Sequence, residues 1–274
     1  MKKKSLFILL LVLVAFAHIS NKIYKYYSPA TERLIYMTSH NHDDTLRIAY
    51  IGDSWALGHA DHHCEISHLI ENILNRPVTV ASYGIGGLTS KEFYNALFEI
   101  TDLKLFLEKG YDYCYISVGI NDTHKKMSTL YYKKSINCII QFMITNNIYP
   151  IIQEIPDYNI IKIFDESETI KTIKIRLSMI ANNIQLDCKQ QFRNALDELI
   201  IDNGYQNKVC IIRYKSWNNN YETDLKELYN CDQLHLSKRG YSVLDSVIAD
   251  AILNIELSKN PQTFGKENCL EISH

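Results

Sequence analysis

The sequence predicts a three-layer α/β/α domain built on a mostly parallel, five-stranded sheet. Three observations predict it. Short apolar segments that end in Gly or Pro alternate with longer segments of helical spacing. The short segments are apolar nearly throughout, as strands buried on both faces are. The length suits one such domain, because about 210–230 of the 274 residues remain once the N-terminal segment and its lead-in are set aside.

The elements follow in order. Residues 46–51 read as a strand ending at Gly52. Residues 62–74 read as a helix through Ile66, Ile70, Ile73 and Leu74, stopped before Pro77. A second strand spans 78–81 and runs into a Gly-rich turn. Thr89 or Ser90 can cap one helix that continues to Leu107 and closes at Gly110. Residues 113–118 form a third strand, 131–144 a helix, 149–155 a fourth strand and 209–214 a fifth. Val243, Leu244, Val247, Ile248, Ala251, Ile252 and Ile255 share one face of a last helix. The stretch 158–204 exceeds what a crossover needs and reads as one long helix or two. The domain therefore runs over 44–257, and 258–274 is a polar tail.

The N-terminus is separate from this pattern. Lys2, Lys3 and Lys4 precede an unbroken apolar run over 6–17. At 1.5 Å per residue the run reaches about 18 Å, short of a ~30 Å hydrocarbon core. Ala15-Phe16-Ala17 has the small-x-small pattern of a signal-peptidase site. Residues 1–17 thus read as an export signal or as an uncleaved membrane anchor, and 18–43 as a tether. Either way the domain lies outside the cytoplasm, in a periplasmic or extracellular space. Lys+Arg 29 against Asp+Glu 31 leaves no basic excess, which argues against nucleic acid as a partner. Nothing in the composition sets an oligomeric state.

In a parallel sheet, ligands bind where strands hand over to helices. Three strand ends carry chemistry-bearing residues there: Gly52-Asp53-Ser54-Trp55, Ser82-Tyr83-Gly84-Ile85-Gly86-Gly87 and Gly119-Ile120-Asn121-Asp122. Asp232-Gln233-Leu234-His235 precedes the last helix. Singly, each reads as a turn or a helix cap. Together they supply what acyl transfer needs. Ser54 is a nucleophile, His235 its base and Asp232 the orienter of that base. The Ser54 N–H, an N–H of the glycine turn and the Asn121 amide are oxyanion donors.

These four blocks resemble the SGNH (GDSL-type) hydrolases, a family of esterases and lipases, over about residues 46–256. The resemblance implies a flavodoxin-like fold, a Ser54–His235–Asp232 triad and an Asn121 oxyanion donor, with no cofactor and no metal. It selects Gly87 as the glycine donor, on the match of Gly87-Leu88-Thr89-Ser90, with Gly84 and Gly86 as alternatives. Two positions depart from the family pattern: Trp55 replaces a Leu, and Ser82 stands where an Asn often precedes the glycines. The implied substrate is an O-acyl ester, with O-acetyl on a glycan favoured. A lipase, an acyltransferase and an inactive carbohydrate-binding relative are the alternatives.

Other features carry less. His59-Ala60-Asp61-His62-His63-Cys64 has zinc-type ligands but no second ligand pair at finger spacing. Trp55 and Trp217, with Tyr221, are candidates for touching substrate. Tyr111, Tyr113 and Tyr115 alternate as packing residues. Of seven cysteines, Cys114, Cys138 and Cys210 read as core, while Cys64, Cys188, Cys231 and Cys269 are the ones an oxidising compartment could pair.

Overall fold

The computed structural model describes residues 3–40, 43–61, 65–165 and 168–259. Strands β1 (Leu46–Gly52), β2 (Val78–Gly84), β3 (Tyr113–Ser117), β4 (Tyr149–Gln153) and β5 (Cys210–Ile212) form one sheet. Every pair is parallel, in the order β2-β1-β3-β4-β5. Alternate side chains enter opposite layers, as strand geometry demands. In β1, Leu46, Ile48 and Tyr50 join one core, and Ala49 and Ile51 the other. In β3, Tyr113 and Tyr115 face the first of these layers, and Cys114 and Ile116 the second.

In chain order the helices begin with α1 (Lys3–Tyr27), α2 (Ser54–Ala60), α3 (Ile66–Leu74), α4 (Ser90–Glu99), α5 (Thr101–Leu107) and α6 (Ile120–His124). They continue with α7 (Thr129–Thr145), α8 (Ile160–Asp165), α9 (Thr169–Asn182), α10 (Lys189–Asp202), α11 (Tyr221–Leu228) and α12 (Lys238–Lys259). Helices α4, α5, α7 and α10 bury Phe93, Leu103, Ile139 and Phe192 against one sheet face. Helices α3 and α12 bury Ile66, Ile70, Leu244 and Ile248 against the other. The strand order reverses between β1 and β3, so the crevice of this fold opens at the C-terminal ends of those two strands.

Several boundaries differ from the sequence expectation, each for a local reason. The helix expected from 89 or 90 to 107 is two, because Ile100 adopts extended geometry and serves as C-cap of α4 and N-cap of α5. The 158–204 stretch holds three helices rather than one or two. The fifth strand is only three residues long and passes into a 3₁₀ turn at Tyr214–Ser216.

The lead-in or tether over 18–43 has two described parts. Residues 18–27 continue α1, which is 25 residues long. Residues 28–40 have no regular structure but are fastened to the domain. Arg33 Nη2 donates to Asn95 Oδ1 (3.0 Å) and Glu99 Oε1 (2.7 Å). Tyr36 Oη donates to the Leu97 carbonyl (2.7 Å), and the Thr38 N–H to Asn146 Oδ1 (2.6 Å).

The five described cysteines are free thiols. Cys114 and Cys138 are buried as expected, but so is Cys188, which packs in the same core and near Lys126 rather than offering itself for pairing. Cys64 and Cys269 lie outside the described residues, as do His62, His63 and the tail beyond 259.

One close approach sets where the site forms. Gly84, at the end of β2, lies so near α2 that a Cβ there would sit 2.0 Å from the Leu57 backbone nitrogen. Replacing Gly84→Ala must push α2 off the sheet. A loss of about 1–3 kcal/mol in urea unfolding is expected, and a variant as stable as the parent would contradict this packing.

Candidate active site

Strand β1 ends at Gly52 and α2 begins at Ser54, so the nucleophile candidate sits on the tightest of handovers. Asp53 caps α2, its Oδ1 accepting the Trp55 N–H at 3.0 Å. Its other oxygen, Oδ2, accepts from Asn121 Nδ2 at 3.1 Å. Asp53 is buried, and so it couples the start of α2 to the start of α6. With one amide hydrogen held by Asp53, the second on Asn121 is free to face a ligand.

The Asp232–His235 pair lies on the loop between α11 and α12. Asp232 Oδ1 accepts the backbone N–H groups of Leu234 and His235, both at 3.0 Å. Its Oδ2 lies 2.6 Å from His235 Nδ1. A carboxylate only accepts, so the ring proton belongs on Nδ1 and leaves Nε2 as an acceptor. Ser54 Oγ stands 2.8 Å from that Nε2 and donates to it. Burial works against the Asp232 charge, but the hydrogen bonds from the His235 ring and the two amides outweigh it and hold the carboxyl below its usual range. The loop is braced by Asn230, which donates to the Leu236 carbonyl (2.9 Å), and by Tyr221, whose hydroxyl donates to the Gln233 carbonyl (2.7 Å).

The glycine turn is pinned from several sides. The Ile85 N–H donates to the Gly52 carbonyl at 3.0 Å. Lys125 Nζ donates to the Gly87 carbonyl at 2.9 Å. Thr89 and Glu92 form a capping box at the start of α4. Asp122 accepts from the Ser90 N–H (2.8 Å) and hydroxyl (2.6 Å). Gly86 lies alongside the nucleophile: a Cβ built there would be 3.9 Å from Ser54 Cβ. Gly87 adopts φ +79°, which favours glycine.

The structure therefore brings Ser54, His235, Asp232, Asn121 and the glycine turn to one strand-end crevice. It does not bring the tryptophans there. Trp55 is 0% and Trp217 5% exposed, and they pack edge to face in the core with centroids 5.9 Å apart. Trp55 points inward because the second residue of α2 turns toward the sheet, which removes both as substrate contacts. His59 is likewise buried. Its Nδ1 meets Ser82 Oγ at 2.7 Å, its Nε2 meets Asp245 Oδ1 at 2.8 Å, and its ring stacks on Tyr50. It ties α2 to β2 and α12, and gives Ser82 its partner. Among the described residues no cluster of three or more His, Cys, Asp or Glu could hold a metal.

The linking roles of Asp53 and Asp122 were not legible in sequence, because their partners are 68 and 32 residues away. Burial is the chief cause that raises both carboxyls to about 7 from the usual 3.8. A raised folded pKa means that the stabilising contribution is full below about pH 4 and is lost as pH rises through about 7. Asp122→Asn keeps a hydrogen-bonding partner for Ser90 and removes one titration. Its urea midpoint should fall less than the parent's between pH 5 and pH 8. Parallel curves would contradict the buried titration.

The sequence matches no family model and no curated protein. The fold does have solved relatives. The lipase/acylhydrolase from Enterococcus faecalis superposes with a TM-score of 0.52 at 18% identity, covering 77% of this chain and 96% of that one. An acetyl xylan esterase gives 0.52 at 17% identity, covering 76% and 100%. The psychrotrophic esterase EstA from Pseudoalteromonas sp. gives 0.50 at 14% identity, covering 78% and 99%. At this level the chain has the α/β/α fold of these lipases and esterases, which is the fold that its resemblance to the SGNH, or GDSL-type, hydrolases implies.

Proposed function

We propose that this chain is a serine ester hydrolase that works through an acyl-enzyme. One observation carries the reading: the unbroken chain from Ser54 Oγ through His235 to Asp232, at 2.8 and 2.6 Å, on the strand-end crevice. Ser54 Oγ attacks the ester carbonyl carbon while its proton moves to His235 Nε2. The tetrahedral oxyanion accepts from the Ser54 N–H, the Asn121 amide and an N–H of the glycine turn, for which Gly87 is our choice. Collapse breaks the C–O bond, and His235 returns the proton to the departing alcohol. Water then repeats the sequence on the acyl-enzyme, with His235 as base and Ser54 as leaving group. Asp232, held ionised, stabilises the imidazolium formed in each half. No step calls for a metal or a cofactor.

The favoured substrate is an O-acyl ester, O-acetyl on a glycan outside the cytoplasm. Two observations support it. The Asp232 and His235 side chains remain 45% and 33% exposed, so the crevice admits a bulky alcohol portion. One fold relative is an acetyl xylan esterase. Export rests on the lysine-flanked apolar N-terminus. Helix α1 offers 20 residues, Ile8–Tyr27, long and apolar enough to cross a membrane. That is about 30 Å of helix, longer than the apolar run alone suggests. Left uncleaved at Ala15–Ala17, this helix serves as an anchor.

Ser54→Ala should abolish turnover of aryl acetates and labelling by a fluorophosphonate while leaving the thermal midpoint unchanged. Asn121→Ala should lower kcat by about 10²–10³, or about 3–4 kcal/mol of transition-state stabilisation. Full activity in either variant overturns the assignment. A series of aryl esters should show preference for acetate. Rates that climb with acyl length would replace the deacetylase reading with a lipase.

A further inference from the structure

Helix α9 is amphipathic the wrong way round for a soluble surface. Ile170, Ile173, Leu177 and Ile180 are 68%, 53%, 62% and 80% exposed. At 100° per residue they form one stripe of about 80° width. Lys174 and Arg176 are exposed on its two edges, and Lys171 is exposed beyond Lys174. The preceding helix, α8, adds Ile161 at 59% exposure. Other exposed apolar side chains of the catalytic domain, such as Leu69 and Ile73 of α3 or Leu105 of α5, are scattered over separate elements. An apolar stripe edged by cations is the pattern of a helix that lies in a bilayer interface.

The position of α1 identifies what the stripe meets. Tyr27, the last residue of α1, bonds through its hydroxyl to Ser178 Oγ of α9 at 2.5 Å. Lys91 Nζ donates to the carbonyls of Lys25 (2.6 Å) and Ser28 (2.7 Å), satisfying the C-terminal end of α1 and tying it to α4. The stripe lies about a third of a turn from Ser178 around the axis of α9. A membrane crossed by α1 therefore has its surface beside α9.

We propose that α9 docks on the bilayer that α1 spans. Its stripe enters the acyl boundary, and Lys174 and Arg176 meet anionic lipid headgroups. The face of α9 opposite the stripe turns toward the active-site region. Ile175 and Lys171 of α9 line a small cleft of about 30 Å³ with His124, at the end of the helix that carries Asn121. The docking does not rest on the hydrolase reading, and Ser54→Ala leaves it unchanged.

The test places a tryptophan reporter on the stripe in the full chain. Trp55 and Trp217 are buried and give a constant background. Leu177→Trp protein is reconstituted, one copy per nanodisc, in phosphatidylcholine–phosphatidylglycerol discs with bromine high on the acyl chains. At least a twofold loss of the added emission is expected, relative to unbrominated discs. Ile73→Trp, on the opposite layer of the domain, should show no loss. Charge reversal of Lys174 and Arg176 to Glu should weaken the quench in the Leu177→Trp background. If Leu177→Trp does not fold, Ile173→Trp reports on the same stripe. An unquenched stripe overturns the proposal, and so does equal quenching at Ile73. Unquenched stripe residues that cross-link between copies in discs loaded with two copies would overturn it in favour of a second protein chain.

Discussion

The geometry of the candidate site depends on one buried carboxyl. Asp53 has one oxygen on the Trp55 N–H and the other on the Asn121 amide. The first bond starts α2 and so aims Ser54. The second aims the amide of Asn121, the candidate oxyanion donor. The candidate nucleophile and the candidate oxyanion donor thereby share one rigid joint, made by Asp53 and Asn121 across 68 residues. Such a joint is costly, because burying a carboxyl raises its pKa. That cost is tolerated where a fixed geometry is worth more than local stability.

The neighbouring contacts repeat this logic. Asp122 ties the start of α4 to α6, and Lys125 holds the Gly87 carbonyl. Both act on the glycine turn rather than on substrate. Preorganised donors avoid reorganisation at the moment of reaction, and every contact that stiffens the turn serves that end. The buried Ser82–His59–Asp245 set is an instructive contrast. It has the residue types of a triad, but it is closed to solvent and joins three elements of the scaffold. Residue types alone do not distinguish the two sets. Access does, since His235 is partly exposed and His59 is 1% exposed.

Much of the fold was legible because periodicity is a local property. The short apolar segments and the Gly and Pro stops located all five strands, and the handover positions located Ser54, Asn121 and the Asp232–His235 pair. The readings that changed concern what faces what. Trp55 and Trp217 look like substrate residues beside the reactive blocks, yet α2 turns Trp55 inward against Trp217. Cys188 sits in a polar stretch but is buried near Lys126. The 18–43 lead-in has a loose composition, but it is half helix and half fastened segment.

The amino-acid sequence by itself determined the class of fold, the five strands and the identity of the chemically competent residues. Those follow from spacing and side-chain type, which are read along the chain. The tertiary structure alone decided that Ser54, His235 and Asp232 form one hydrogen-bonded line. It also decided that Asp53 holds the Asn121 amide and Asp122 the start of α4, and that α1 ends against α9. Apart from the Asp232–His235 bond, which spans three residues, these are contacts across 32 to 181 residues. They exist only when the strands pair in the order β2-β1-β3-β4-β5, and no local pattern encodes that order.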